Sequence, residues 1–368
     1  MSTQTTTRFT IEPRKDRATA EQVAKVRADP VFGAVFTDHM ARIQWDQDGG
    51  WQEPRITAYG PIPLAPAASV FHYGQEIFEG MKAYRHADGS VWTFRPEVNA
   101  ARFARSAARL ALPPLPEELF LESLQALVEI DQDWVPDPAG GESSLYLRPF
   151  MIATEPALGV RPSRQALYCV IASPAGSYFA SGLKPVSIWL SEDYVRAAPG
   201  GTGAAKCGGN YGASLAPMVE GLKQGCDQVA FLDAIEQKWV EELGGMNLFF
   251  VYRDGRIVTP ELTGTILEGV TRSSIIELAT ERGHDVIERR YSVDEWREDA
   301  ASGDLVETFA CGTAAVVTPV GRLVWRDGEV SMGDGAGVGE VAQGLRNTLL
   351  DIQFGRAEDS RGWLHRLV

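Results

Sequence analysis

Apolar positions recur along this chain in two rhythms, and the switches between them sketch its architecture. Residues 32–45 read as a strand, 46–50 as a turn, and Trp51 opens a second extended piece. Pro61, Pro63 and Pro66 exclude helix from the segment after it. The stretch 70–84 ends strand-like, and 87–90 is the hairpin turn into a return strand over 91–94. The rhythm then becomes helical. Val98, Phe103, Ala107 and Leu110 form one stripe from Pro96 to about 112, with Arg102, Arg105 and Arg109 on another side. A second helix, from Pro116 to near Trp134, turns Phe120, Leu124, Leu127 and Val128 inward. Strands over 144–149 and 166–172 complete an α+β pattern.

The second half repeats the mixture. Strands are predicted over 186–190, 228–232, 239–242, 247–252, 257–259, 286–291, 305–309 and 315–319. Helices are predicted over 212–223, 271–282, 293–301 and 341–353. These elements suggest four segments: a polar, irregular lead-in over 1–30, a smaller N-terminal domain over 31–178, a connecting loop over 179–185, and a larger, β-rich C-terminal domain over 186–368.

Bulk properties narrow the function. A net charge of −14 argues against nucleic acid and anionic membrane surfaces as partners. The Thr-rich start lacks the apolar core of a secretory leader, and no apolar run reaches membrane-spanning length. Cys169, Cys207, Cys226 and Cys311 form no CxxC pair and no ligand cluster with the histidines. That pattern predicts no metal and suits a reducing, cytoplasmic compartment.

One stretch invites chemistry. Residues 200–212 hold six glycines around Lys206, with Tyr211 five positions on. A P-loop fails, because Lys206 is followed by Cys207 rather than Ser or Thr. The GxGxxG pattern fails too, because Lys206 occupies its last glycine position. A carbonyl-reactive lysine must offer a neutral amine, which partial desolvation favours, and pyridoxal phosphate is its common partner. Spacing alone leaves open a solvated loop lysine.

A set of motifs then runs in order and in register from about Phe32 to the end. Phe78-Glu-Gly-Met-Lys82, Ser144-Leu-Tyr-Leu-Arg148-Pro and Thr154-Glu-Pro-Ala-Leu-Gly-Val160 lie in the first half. Lys206-Cys-Gly-Gly-Asn-Tyr211, Glu242-Leu-Gly-Gly-Met-Asn247, Gly269-Val-Thr-Arg272, Phe309-Ala-Cys-Gly-Thr313-Ala and Asp351-Ile-Gln-Phe-Gly lie in the second. Together they resemble the branched-chain amino-acid aminotransferases. The resemblance implies a two-domain fold of type IV pyridoxal-phosphate enzymes, like that of D-amino-acid aminotransferases. It gives an N-terminal α/β sandwich and a β-rich C-terminal domain with the cofactor between them.

The resemblance also implies roles. Lys206 would carry the cofactor's aldehyde carbon and later move protons. Tyr211 would hydrogen-bond the cofactor's phenolic oxygen, and Glu242 would pair with its pyridine nitrogen. The phosphate would sit on the backbone N–H groups of Val270 and Thr271 at a helix start, with Thr313 as a further donor and Arg102 as countercharge. Phe36, Phe78, Tyr146, Tyr178 and Ala314 would line the substrate pocket, and Arg148 would engage the distal carboxylate of glutamate or 2-oxoglutarate. Tyr73, Leu158 and Val160 would reach in from the second subunit of a homodimer. The reaction implied exchanges an amino group between leucine, isoleucine or valine and 2-oxoglutarate in two half-reactions.

The residues supply one hint of their own: Tyr146 and Arg148 are two apart in a strand and so share a face. Each assignment has a plainer competitor. Tyr211 and the aromatics could be packing residues, Glu242 an ordinary charged strand end like Glu241, and Thr271 a helix cap. Arg102 could be one of three arginines on a wet face. Ala101 departs from the aspartate common in the family before this arginine. Ala315 and Thr318 replace the redox CxxC of mammalian relatives, so regulation of that kind is not expected. Two rival readings stay open: a D-amino-acid aminotransferase or aminodeoxychorismate lyase on the same fold, and a binding protein without turnover.

Overall fold

The computed structural model describes residues 8–137, 141–176, 183–333, 335 and 337–368. The chain divides into two units, Met1–Tyr178 with Asp351–Val368, and Phe179–Leu350.

The N-terminal unit is built on a nine-stranded sheet in the order β1-β3-β2-β8-β7-β5-β6-β18, with β4 on β7. Its strands are β1 (Thr10–Ile11), β2 (His39–Asp46), β3 (Gly50–Ala58), β4 (Glu76–Phe78), β5 (Met81–Arg85), β6 (Val91–Phe94), β7 (Ser144–Ala153), β8 (Gln165–Ala175) and β18 (Leu364–Arg366). Pairing is antiparallel except between β1 and β3. Helices α3 (Pro96–Arg109) and α4 (Glu117–Ile130) bring Phe103 and Phe120 onto Tyr168 of β8. All three rings are buried, and the Tyr168 hydroxyl is satisfied by Ser123 at 2.9 Å.

The C-terminal unit has its own nine-stranded sheet, in the order β11-β10-β9-β16-β15-β12-β13-β14, with β17 on β16. Its strands are β9 (Val186–Ser191), β10 (Gln228–Leu232), β11 (Val240–Leu243), β12 (Asn247–Tyr252), β13 (Ile257–Thr259), β14 (Val286–Glu288), β15 (Leu305–Gly312), β16 (Val316–Trp325) and β17 (Gly328–Ser331). Parallel and antiparallel neighbours mix. Trp296 of α7 (Val293–Ser302) is fully buried, with Phe250 edge-on to it and stacked on Tyr291. Helices α5 (Gly208–Lys223) and α6 (Val270–Glu281) begin at two of the motifs.

Several expectations need correction. The lead-in, expected to be only partly ordered, holds one helix not predicted, α1 (Ala20–Ala28), which a reciprocal capping box of Thr19 and Gln22 starts. The strand predicted from Phe32 begins only at His39, after a turn in which Gly33 has φ +67°. Helix α2 (Ser69–Tyr73) precedes β4, and α5 starts at Gly208 rather than Gly212. The C-terminal domain does not extend to 368. Asp351–Val368 joins the N-terminal unit, where β18 pairs with β6, so the N-terminal unit is the larger by residue count. Of the expected connecting loop, 179–182 lies outside the described residues.

Candidate active site

Lys206 sits just before α5, and Tyr211 lies in its first turn. One helical turn brings the two side chains together: Lys206 Nζ donates to Tyr211 Oη at 2.7 Å, and both side chains are half-buried. The glycines before them serve the backbone. Gly200 has φ +76°, and a Cβ on Gly203 would collide with the Thr265 carbonyl.

Glu242 lies on β11 and is 1% exposed. Its Oε1 accepts from the Leu267 N–H at 3.0 Å and faces Arg196 Nη1 at 2.8 Å. Arg196 is itself buried and also donates to the Thr265 carbonyl at 3.1 Å. A buried carboxylate thus has a buried countercharge and a backbone donor, as it requires. Arg196 is inconspicuous in the sequence because it lies far from Glu242 along the chain. Asn247 ties the region together. Its Nδ2 donates to the Leu267 carbonyl at 3.1 Å and lies 3.5 Å from Glu242 Oε2.

The segment after Leu267 enters α6 through Gly269, the N-cap residue. A side chain there would collide with Asn247 Oδ1, so only glycine fits without movement. Val270 and Thr271 are the first helical residues, whose N–H groups have no partner within the helix. Thr313 lies in the turn between β15 and β16, beside Ala314. Packing connects this turn to Tyr211. A Cβ on Gly312 would lie 3.4 Å from the Gly245 carbonyl, and one on Gly245 would lie 3.6 Å from the Tyr211 ring. Lys206, Tyr211, Glu242, Val270, Thr271 and Thr313 therefore all belong to one unit, linked through Asn247, Gly245 and Gly269.

The other residues singled out belong to the N-terminal unit. Arg102 is buried, unlike exposed Arg105 and Arg109. Its Nε and Nη2 form a bidentate pair with Glu79, at 2.7 and 2.8 Å. Glu79 also accepts from Asn99 Nδ2 at 2.7 Å. Nothing in the local sequence pattern singles out Glu79, although it stands inside the first motif. Arg148 Nη2 donates to Tyr146 Oη at 2.9 Å. The guanidinium lies 4.7 Å from the centroid of the Phe78 ring and 5.3 Å from that of Tyr146. Arg148 Nε is buried and has no partner among the described residues. Gly80 makes room for this group, because a Cβ there would strike the Tyr146 hydroxyl. Phe36 is half-buried and stacks on Tyr59, with centroids 4.9 Å apart. Tyr73 donates to the carbonyl of Leu158, and both are exposed, as is Val160. Tyr178 lies outside the described residues.

The C-terminal set fits pyridoxal phosphate by its donors. It offers an amine and a phenol in hydrogen-bond contact, a buried carboxylate for a ring nitrogen, and a glycine-capped helix start for a phosphate. Among the described residues, no cluster of His, Cys, Asp and Glu could hold a metal ion.

Known proteins resemble this chain over most of its length. A branched-chain-amino-acid aminotransferase of Mycolicibacterium smegmatis is 57% identical over 98% of both chains. One of Mycobacterium tuberculosis is 53% identical, again over 98% of both. Among solved structures, a T.th. branched-chain amino acid aminotransferase with pyridoxamine 5'-phosphate superposes with a TM-score of 0.73 at 31% identity. The match covers 89% of this chain and 99% of that one. Those neighbours share the two-domain, type IV fold, and the amino-transferase class IV family matches residues 76–323. With the lysine–tyrosine pair, the buried glutamate and the capped helix all inside that span, this chain belongs to the class IV aminotransferases.

Proposed function

We propose that this protein is a branched-chain amino-acid aminotransferase. It exchanges the amino group of L-leucine, L-isoleucine or L-valine with 2-oxoglutarate in two half-reactions. Class IV aminotransferases depend on pyridoxal phosphate. When bound, the cofactor supplies a carbonyl that takes up the amino group and a ring that accepts the electron pair released at the substrate Cα.

The chain's own residues do the rest. Lys206 carries the cofactor between turnovers, and its amine moves the proton from the substrate Cα. Tyr211, 2.7 Å from that amine, orients it and holds the ring oxygen. Glu242, fixed by Arg196 and the Leu267 N–H, meets the ring nitrogen. The first N–H groups of α6, with Thr313, hold the phosphate. Arg102 is held in a bidentate pair with Glu79 within the N-terminal unit.

The observation that carries the substrate assignment is Arg148. One wall must accept both an aliphatic side chain and a second carboxylate. Phe78 and Tyr146 supply apolar surface, and the guanidinium packed on them keeps an unspent Nε–H for a carboxylate. Arg148→Gln tests this: KM for 2-oxoglutarate should rise about tenfold or more, with little change for 2-oxoisocaproate. Equal effects on both would remove the role.

The enzyme works as a homodimer in the cytoplasm. Leu158 and Val160 are 62% and 87% exposed beside Tyr73, which suits cover by a second copy. All four cysteines are unpaired. Among the described residues, no helix is long and apolar enough to cross a membrane.

A further inference from the structure

Glu241 and Glu242 are adjacent on β11 and therefore face opposite ways. Glu242 turns to Arg196 and Leu267, whereas Glu241 lines a cavity of about 170 Å³ within the C-terminal unit. The cavity walls are largely apolar, with Pro199, Trp239, Val240, Pro260 and Ile266 among the lining residues.

The polar groups of this cavity are unevenly satisfied. Asp233 accepts from the N–H groups of Ile235, Glu236, Lys238 and Trp239. Glu236 and Glu261 sit at the half-exposed rim, each 3.5 Å from Arg290. Glu241 differs. It is 5% exposed, and its Oε1 accepts from Thr265 Oγ1. Among the described residues its buried Oε2 has no partner, and neither has the buried Nε1–H of Trp239. An orphaned carboxylate oxygen in such a place costs free energy unless something donates to it.

Water answers this demand poorly. At roughly 10–15 Å³ for each water this space would take about 11 to 17, and against walls that are mainly apolar many of them would lack the two to four polar partners each needs. An ion lacking an apolar body would leave most of the wall bare. A further cation over the indole would meet like charge, because Lys238 and Arg290 already lie 5.0 and 5.5 Å from the Trp239 ring centroid. The remaining attachment point is the carboxylate.

We infer that this cavity is a second ligand site, which takes a small organic cation carrying N–H donors on a short apolar body, of the guanidinium or amidinium class, bound through Oε2 of Glu241. Its charge complements a lining that holds four carboxylates and one guanidinium. Burial, seconded by the like charge of Glu242, pushes the Glu241 carboxyl up to about 7, against the opposing pull of Thr265 and Arg196. A bound cation gives that carboxylate the partner it lacks. The site lies behind the strand that carries Glu242 and is separate from the residues assigned to the cofactor and substrate.

The test is titration calorimetry of the full-length, cofactor-loaded protein at pH 8 with methylguanidinium chloride, the cofactor's visible band being followed in parallel. One-to-one saturable binding is expected with that band unchanged. Glu241→Gln should weaken it at least about tenfold, the loss of one charge-assisted hydrogen bond. Glu236→Gln at the rim should stay within about threefold of wild type. Potassium chloride and tetramethylammonium chloride, which lack N–H donors, should not saturate. If Glu241→Gln is unfolded by circular dichroism, Glu241→Asp replaces it and must show the same loss, since it withdraws the carboxylate by one methylene. Four results overturn the inference: no saturable binding by wild type, binding indifferent to Glu241, an equal loss in Glu236→Gln, or equal binding of tetramethylammonium.

Discussion

Arg196→Met probes the least anticipated part of the site. The substitution keeps an unbranched stem but is shorter than arginine and removes the guanidinium 2.8 Å from Glu242 Oε1. Both side chains are 2% exposed, so solvent cannot replace the lost countercharge. Removing one partner of such a pair costs about 3–5 kcal/mol, because the other charge stays buried. The Thr265 carbonyl also loses its donor at 3.1 Å. For a unit of this size, 1 kcal/mol moves Tm by about 2–4 °C, so the C-terminal unit should melt roughly 6–20 °C lower. Calorimetry of the cofactor-free protein measures this without the stabilisation that a ligand adds. The double variant Arg196→Met/Glu242→Gln should regain at least about 1.5 kcal/mol over the sum of the two single losses, since no buried charge is left unpaired. A single variant within about 1 kcal/mol of wild type would refute the reasoning, and so would strictly additive losses.

Two further substitutions test other parts of the site. Gly269→Ala places a methyl against Asn247 Oδ1 and 3.1 Å from the Arg272 Cβ, at the start of α6. The overpacking cost of about 1–3 kcal/mol should appear as roughly 5- to 150-fold weaker cofactor binding, measured by titrating the cofactor-free enzyme with pyridoxal phosphate. Glu241→Gln should change how stability depends on pH. The wild-type carboxyl is pushed from 4.5 up to about 7 on folding, so the folded state binds the proton more tightly. That contribution is full below about 4.5 and is lost as pH rises through 7, whereas glutamine has no proton to lose. Denaturant titrations at pH 5 and pH 8 should therefore show the variant gaining on wild type by about 2–3 kcal/mol toward the higher pH.

Features set by local chemistry were largely readable from the sequence. Pro96 and the apolar stripe after it placed α3, and the two-residue spacing of Tyr146 and Arg148 placed both on one face of β7. Tertiary pairing was not readable. Glu79 and Arg102 belong to different elements, as do Arg196 and Glu242, and nothing in either local pattern announces its partner. Glycine at 208 and 209 hid the first turn of α5, because glycine disfavours helix on propensity alone. Tertiary placement overrode that propensity and brought Tyr211 within reach of Lys206. The end of the chain misled for a related reason. The short strand β18 has meaning only once β6 is there to receive it.

The most direct measurement of the central claim is a transamination panel with 2-oxoglutarate as amino acceptor and pyridoxal phosphate present. L-Leucine, D-alanine and aminodeoxychorismate serve in turn as the amino compound, with wild type and Lys206→Ala compared. The account predicts glutamate formation from L-leucine alone, abolished in Lys206→Ala together with the visible absorbance of the lysine-bound cofactor. Turnover of D-alanine or consumption of aminodeoxychorismate in preference to L-leucine would contradict it, as would leucine transamination that survives without Lys206.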